Sequence, residues 1–187
     1  MAYCDELLKD SLLTEEFILE ELQDLKGYYD DMKVASQVFP AAADAPMPSL
    51  AAVLEEDDAG RPRVVTHSFL PLDEEEASFT KFLQFYCELQ IDLGGVDRVK
   101  LLETLMAMNQ VLPMGTCVLV EPRPELKLPA MVGLRYIQGY PLREVIDQGA
   151  FSETLFLFDM ACDMLTMAVD SLLAGASPED VLKKLRA

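Results

Sequence analysis

Apolar residues recur at helical spacing in the first part of the chain. From residue 5 to residue 33 they are separated by steps of four and three positions, with acidic residues between them. This spacing puts the following residues on one side of a helix: Ile18, Leu22, Leu25, Tyr29 and Met32. A break near Thr14, which suits an N-cap, would separate off a short first helix. The pattern predicts an acidic, amphipathic helical segment over residues 1–36.

A stretch rich in proline and alanine follows this helical segment. Pro40, Pro46 and Pro48 lie in it together with four alanines. Proline lacks the amide hydrogen that helices and sheets use, and it favours an extended chain. The sequence therefore predicts a linker over residues 37–48 and a main domain over residues 49–187.

The main domain begins with three segments of strand character. Residues 50–54 and 63–70 are two short runs on either side of Asp-Asp-Ala-Gly at 57–60. That tetrapeptide is turn chemistry, so a hairpin is expected. Within residues 79–91, every second side chain from Leu83 to Ile91 is apolar, as at Phe85 and Cys87. That alternation predicts a third strand, although a helix is also tolerable there.

The second half alternates helices and strands. Broad apolar periodicity predicts a helix over residues 96–112, ended by Pro113, and another over 151–174 with Ser152 as its N-cap. Residues 116–120 and 130–137 have strand character. We therefore predict an α+β fold, in which helices pack on a mixed or antiparallel sheet of about five strands. Counting the N-terminal amphipathic helix first, the order is helix, three strands, helix, two strands, helix.

Two places carry more apolar surface than one core requires. Beside its core stripe, the 151–174 helix has a second apolar flank of Phe156, Met160, Met164 and Met167, where one stripe would suffice to lie on a sheet. Either the 96–112 helix covers this flank, or a second copy or another protein does. On the sheet, Phe82 and Tyr86 add apolar bulk to the other face, which the N-terminal helix is expected to cover. These six residues are the candidate partner-binding residues.

The charge balance narrows the choice of partner. Lys and Arg number 15 and Asp and Glu 33, giving a formal net charge of -18. Such a field repels phosphate backbones and anionic lipid, so we expect no nucleic acid and no membrane among the partners. The acidity either keeps an apolar-rich chain soluble or attracts a basic polypeptide. Four scattered cysteines without a paired motif are expected to be reduced core thiols, which favours a cytoplasmic location.

Catalytic motifs are missing from the sequence. His67 is the single histidine, no zinc spacing occurs, and no glycine-rich phosphate loop or serine nucleophile motif is present. Asp159, Asp163 and Asp170 share one helix face, which is typical of a solvated polar stripe and could in principle bind a hard cation. We therefore expect no catalytic, cofactor-binding or metal-binding residues and no enzyme. The alternative is an enzyme assembled around Asp159, Asp163 and His67.

One stretch carries a resemblance to a known family. In Met-Asn-Gln-Val-Leu-Pro-Met-Gly-Thr-Cys-Val-Leu-Val at 108–120 a helix ends and feeds a strand, and Gly-Ala-Phe at 149–151 leads into the last long helix. With the order of elements, this resembles the bacterial type III secretion chaperones and the YbjN-type sensory transduction regulators. The resemblance implies a sheet with packed helices, frequent dimers, no catalytic residues and binding of polypeptide along apolar surfaces. Three features depart from the family pattern: the acidic N-terminal helix, the linker and the long connection at 121–129. These departures weigh against a secretion-chaperone role specifically.

The leading interpretation is a non-enzymatic interaction domain. It would be chaperone-like or regulatory, form a homodimer, and bind a polypeptide partner through an apolar surface rimmed by acids. From a different class comes an acidic inhibitor or immunity-type protein that blocks a basic target, whose affinity would come from charge. Salt distinguishes the two, because exposed charges are screened and apolar contacts are not.

Overall fold

A computed structural model describes residues 13–43, 45–71, 79–122, 124 and 128–186. In these residues the helices are α1 (Glu15–Asp31), α2 (Arg98–Met108), α3 (Gln148–Leu173) and α4 (Pro178–Arg186). The strands are β1 (Ser36–Phe39), β2 (Ser49–Leu54), β3 (Arg63–Phe69), β4 (Thr80–Glu88), β5 (Thr116–Val120) and β6 (Met131–Pro141). The short helix predicted before Thr14 lies outside the described residues.

The strands form one sheet in the order β1-β2-β3-β4-β6-β5. At one edge β1 pairs antiparallel with β2, and at the other β5 pairs antiparallel with β6. The predicted α+β class, the hairpin of β2 and β3 and the third strand are confirmed. The sheet has six strands rather than about five, because residues 37–39 of the predicted linker belong to β1. A four-residue edge strand directly before Pro40 is too short to show as a period-two pattern.

The chain folds as two compact units. Strands β3, β4 and β6 and helix α3 each contribute residues to both of them. The first is drawn from residues 1–55, 64–85 and 137–152, and the second from residues 56–63, 86–136 and 153–187. None of the helices in the described part of the chain is both long and apolar enough to cross a membrane.

In the first unit, α1 packs on the inner side of the sheet. The predicted stripe is buried at Ile18, Leu22, Leu25 and Tyr29, whereas Met32 is partly exposed. The Tyr29 hydroxyl lies 2.6 Å from His67 Nε2, and the Tyr29 ring meets Phe151 edge-on at 5.6 Å between centroids. Since His67 and Phe85 are inward-facing residues of β3 and β4, α1 shares its sheet face with Phe151 of α3. The expectation that this helix covers the outer face is therefore wrong.

A buried lysine ties α1 to β4. Lys81 Nζ lies 2.5 Å from Glu21 Oε1 and donates to the carbonyl oxygen of Glu144 at 2.7 Å. It also stands 5.4 Å from the centre of the Phe17 ring. A fully buried ammonium is tolerated only where such partners replace its water. Lys81 therefore fixes α1 by charge as well as by apolar contact.

In the second unit, α3 and α2 supply most of the helical core. The predicted core stripe of α3 is buried throughout: Leu155, Phe158, Cys162, Leu165, Val169 and Leu172. Helix α2 begins after Asp97, whose side chain accepts the amide hydrogens of Val99 and Lys100, and it packs against α4. Cys87, Cys117 and Cys162 are buried free thiols, as expected, while Cys4 lies outside the described residues.

The start of α3 differs from the prediction. The helix begins at Gln148, so Ser152 lies inside it and is not its N-cap. The Asp147 side chain accepts the amide hydrogen of Ala150 at 2.8 Å and so caps the helix one turn earlier. Gly149, a poor helix former, hides that extra turn in the sequence. At the other end Gly175 has φ +92, which is the left-handed geometry that ends many helices.

Candidate functional site

The exposed side of α3 carries the predicted apolar flank. Phe156 is 65% exposed, Met167 43% and Met160 39%, and Met164 is half-buried. The expectation that the 96–112 helix covers this flank is wrong. Helix α2 packs on α4 and leaves its own Met106 69% exposed. We call Phe156, Met160, Met164 and Met167 the exposed strip.

The exposed strip is continuous along the helix. At 1.5 Å per residue, Phe156 and Met167 are ~16 Å apart, which is about three turns. At 100° per residue, the four side chains fall within roughly 80° of the helix circumference. The opposite side of α3 is buried in the core, as at Phe158 and Leu165. The strip is thus a narrow apolar surface on a helix whose other side is held in place.

Acidic residues follow one side of the strip and are held by two arginines. Arg63 forms ion pairs with Asp159 and with Asp163, the latter at 2.5 Å. Arg61 binds both carboxylate oxygens of Asp170, at 2.9 and 2.6 Å, and forms an ion pair with Asp57 at 2.6 Å. We call the four aspartates Asp57, Asp159, Asp163 and Asp170 the acidic edge.

The electrostatics of the acidic edge follow from these pairs. Burial of Arg63 opposes its charge, but its hydrogen bonds with Asp163 and Asp159 prevail and raise its pKa. Burial also works against the Asp57 carboxylate, yet the Arg61 and Ala59 hydrogen bonds lower the pKa of Asp57. The aspartates of α3 therefore form ion pairs with arginine and are not simply a solvated stripe. Among the described residues, no group of His, Cys, Asp or Glu is arranged to hold a metal ion.

The acidic edge borders a cleft of about 520 Å³. Its walls include Asp58, Asp163 and Asp170, together with Lys184 and the side chain of Met167. Met167 therefore belongs to both the exposed strip and the wall of this acidic cleft. The volume lies in the range of ligand-binding clefts. Six of the ten lining residues are charged and four of these are aspartates, so a cationic group would find acceptors there.

Phe82 and Tyr86 are not part of the strip and lie on the side of β4 opposite its buried residues. An atom of the Phe82 ring is 3.3 Å from where a Cβ of Gly139 would stand, and the Tyr86 ring has the same relation to Gly133. The Tyr86 hydroxyl donates to Glu88 at 2.8 Å. Both rings thus lie over glycines of β6, which half-buries them. In the second unit Tyr86 faces away from α3, because the neighbouring Cys87 contacts Cys162 of that helix.

His67 does not form a catalytic site in this fold. Burial lowers its pKa to about 3, so the ring is neutral at physiological pH. Nε2 contacts the Tyr29 hydroxyl, and Nδ1 has no hydrogen-bond partner in the described residues. Enclosed by aromatic rings, His67 cannot reach a substrate. The predicted alternative of an enzyme around His67, Asp159 and Asp163 gains no support from this geometry.

Three basic residues of these ion pairs were not among the predicted site residues: Arg61, Arg63 and Lys81. Arg63 and Lys81 occupy inward positions of β3 and β4, where alternation predicts apolar side chains. A basic residue at an inward strand position, in a chain with an acidic helical stripe, is the signal that could have revealed Arg63 and Lys81. Arg61 precedes β3 and carries no such signal.

Comparison with known proteins adds a similarity of fold. No known family model matches the sequence, and no curated protein does either. Among solved structures, the chain aligns with the crystal structure of YbjN from E. coli with a TM-score of 0.45 and 14% sequence identity. The alignment covers 80% of this chain and 91% of that chain. The likeness concerns the fold alone.

Proposed function

We propose that this chain is a non-enzymatic interaction domain, chaperone-like or regulatory, that binds a polypeptide partner through the exposed strip of α3. The observation that carries the proposal is the exposure of Phe156, 65%, on a helix whose opposite side is entirely buried. A contiguous apolar surface of this kind is costly in water and marks interaction sites. Three of the four residues are methionines, whose unbranched thioethers repack easily against different partners.

The setting of the strip favours binding as well. Because α3 is packed along its inner side and its aspartates are held by arginine, the strip is ordered before any partner arrives. Such preorganisation lowers the entropy that binding would otherwise cost.

A peptide-display selection tests the proposal. We expect the wild-type protein to enrich peptides that no longer bind the Phe156→Glu and Met167→Glu variants. The matched control is Met106→Glu, which places the same charge on the exposed methionine of α2 and should retain binding. If no peptide is enriched, or if the control loses binding equally, the strip is not the binding surface.

The second candidate is an acidic inhibitor of a basic target, which the net charge of -18 favours. Its complex would weaken steeply with added salt and would tolerate Phe156→Glu. The predicted homodimer also stays a prediction. Light scattering on the wild type and on Met164→Glu measures it, and a monomer in both cases would contradict it.

A further inference from the structure

Resting on the proposed function, we infer that the partner is a basic amphipathic helix. Its apolar side packs on the exposed strip, and lysine or arginine side chains along one flank pair with the acidic edge and enter the acidic cleft.

The acidic edge retains negative charge after its internal ion pairs are counted. Two arginines, Arg61 and Arg63, face four aspartates, so the edge keeps 2 − 4 = −2 formal charges. Asp58 and Lys184 also line the cleft, and their opposite formal charges cancel in this count. The surplus faces solvent, since the Asp163 side chain is 54% exposed and that of Asp170 42%.

The carboxylates also keep hydrogen-bonding capacity. Arg63 reaches only the Oδ1 atoms of Asp159 and Asp163. An ionised carboxylate offers about four acceptor positions on its two oxygens, so a second cation can be accommodated at each. The arginines thus orient the aspartates and leave their carboxylates able to accept further hydrogen bonds.

The charge lies on one side of the strip only. At 100° per residue, Asp159, Asp170 and Asp163 occupy the roughly 40° of α3 that adjoin Phe156. The other side of the strip continues into the exposed Leu157. A partner helix therefore needs apolar residues over about three turns, with its basic residues on a single flank.

A second copy of the chain fits this surface poorly. It would bring another 18 net negative charges towards an edge that is already negative. Like charges brought together at an interface cost binding free energy. A basic partner gains from the same field, which also speeds its approach.

Three synthetic helical peptides with the same apolar side and Lys, Gln or Glu on one flank provide the test. Fluorescence anisotropy measures their affinity for the full chain at ~50 mM and ~500 mM salt, between which exposed charges become largely screened. We expect the Lys peptide to bind about tenfold more tightly than the Gln peptide at low salt, and the gap to close at high salt. The Glu peptide should bind most weakly.

Variants assign the effect to the two parts of the surface. Asp58→Asn and Asp163→Asn should each reduce the advantage of the Lys peptide several-fold, whereas Glu103→Gln on α2 should not. Met160→Glu should abolish binding of all three peptides. Asp58→Asn keeps the test decisive if Asp163→Asn perturbs folding through Arg63.

The outcomes separate this inference from the proposed function. If Lys and Gln peptides bind equally and both fail on Met160→Glu, the partner is not selected for charge, and the inference falls while the function stands. If no peptide binds and Met160→Glu turns a dimer into a monomer, a second copy occupies the strip and the inference falls. If no peptide binds and the protein is a monomer throughout, both fall.

Discussion

Helices α1 and α3 are each held by one inward-pointing basic residue of a strand, but the two anchors differ in charge balance. In the first unit Lys81 meets a single carboxylate, Glu21, and is itself wholly buried. In the second unit Arg63 meets two aspartates whose side chains are partly exposed. The first arrangement is neutral and closed, so it serves stability. The second leaves negative charge on the surface beside an uncovered apolar strip, where a partner can use it.

Deleting residues 1–38 should have the largest effect. It removes most of β1 and all of α1. The four buried apolar side chains of α1, each worth ~1.5–3 kcal/mol, together rival the ~5–15 kcal/mol stability of a typical domain. We expect lower solubility, a lower melting temperature and binding of a hydrophobic dye. A truncated protein that melts as the full chain does and binds no dye would show that α1 is a free appendage.

Lys81→Met should have the second-largest effect on stability. It leaves Glu21 mostly buried without its cation, and breaking a buried pair from one side typically costs ~3–5 kcal/mol. Denaturant unfolding measures the loss. Combining Lys81→Met with Glu21→Gln should restore part of it, because no unpaired charge remains. A loss below ~1 kcal/mol would mean that water already reaches this pair.

Acid should weaken the first unit through His67. The pKa of His67 is about 3 in the folded chain, below its value of ~6.5 in the unfolded chain. Below pH ~6.5, His67 is therefore protonated in the unfolded chain but stays neutral in the folded chain. Stability therefore falls as pH falls from ~6.5 towards ~3, by about 2 kcal/mol at pH ~5. Denaturant midpoints between pH 7 and 5 measure this slope. In His67→Gln the slope should be shallower, and an unchanged slope would assign it to other groups.

Arg63→Met should cost less than Lys81→Met. It frees Asp159 and Asp163, but both are partly exposed and can be hydrated, so we expect a loss of ~1 kcal/mol. The same denaturant series provides the comparison. Equal losses at the two positions would remove the distinction between a closed and an open anchor.

Phe156→Glu should have the smallest effect on stability, within ~0.5 kcal/mol, because the side chain is mostly exposed. Its melting curve should overlay that of the wild type, while Phe158→Glu, on the buried side of the same helix, should prevent folding. A marked loss in Phe156→Glu would indicate that the strip is covered in solution.

Local periodicity predicted most of the fold. The bounds of β5 and the core stripe of α3 follow from patterns that one segment carries by itself. The ion pairs do not, since Lys81 and Glu21 are 60 positions apart and Arg63 and Asp159 are 96 apart. The sequence also did not predict that the strip on α3 stays uncovered, because the pattern of α2 does not reveal that α2 packs on α4. Of the six predicted site residues, four share the strip, whereas Phe82 and Tyr86 are explained by glycines on a neighbouring strand.

The short connection between α1 and β1 has a consequence for motion. Only residues 32–35 separate the helix from the edge strand, and Lys33 reverses the chain there with φ 60. Opening of helix α1 would therefore pull directly on β1. The two elements should detach as one cooperative unit, with their amides exchanging against deuterium at a common rate. Any regulation that releases this helix would also free a strand edge.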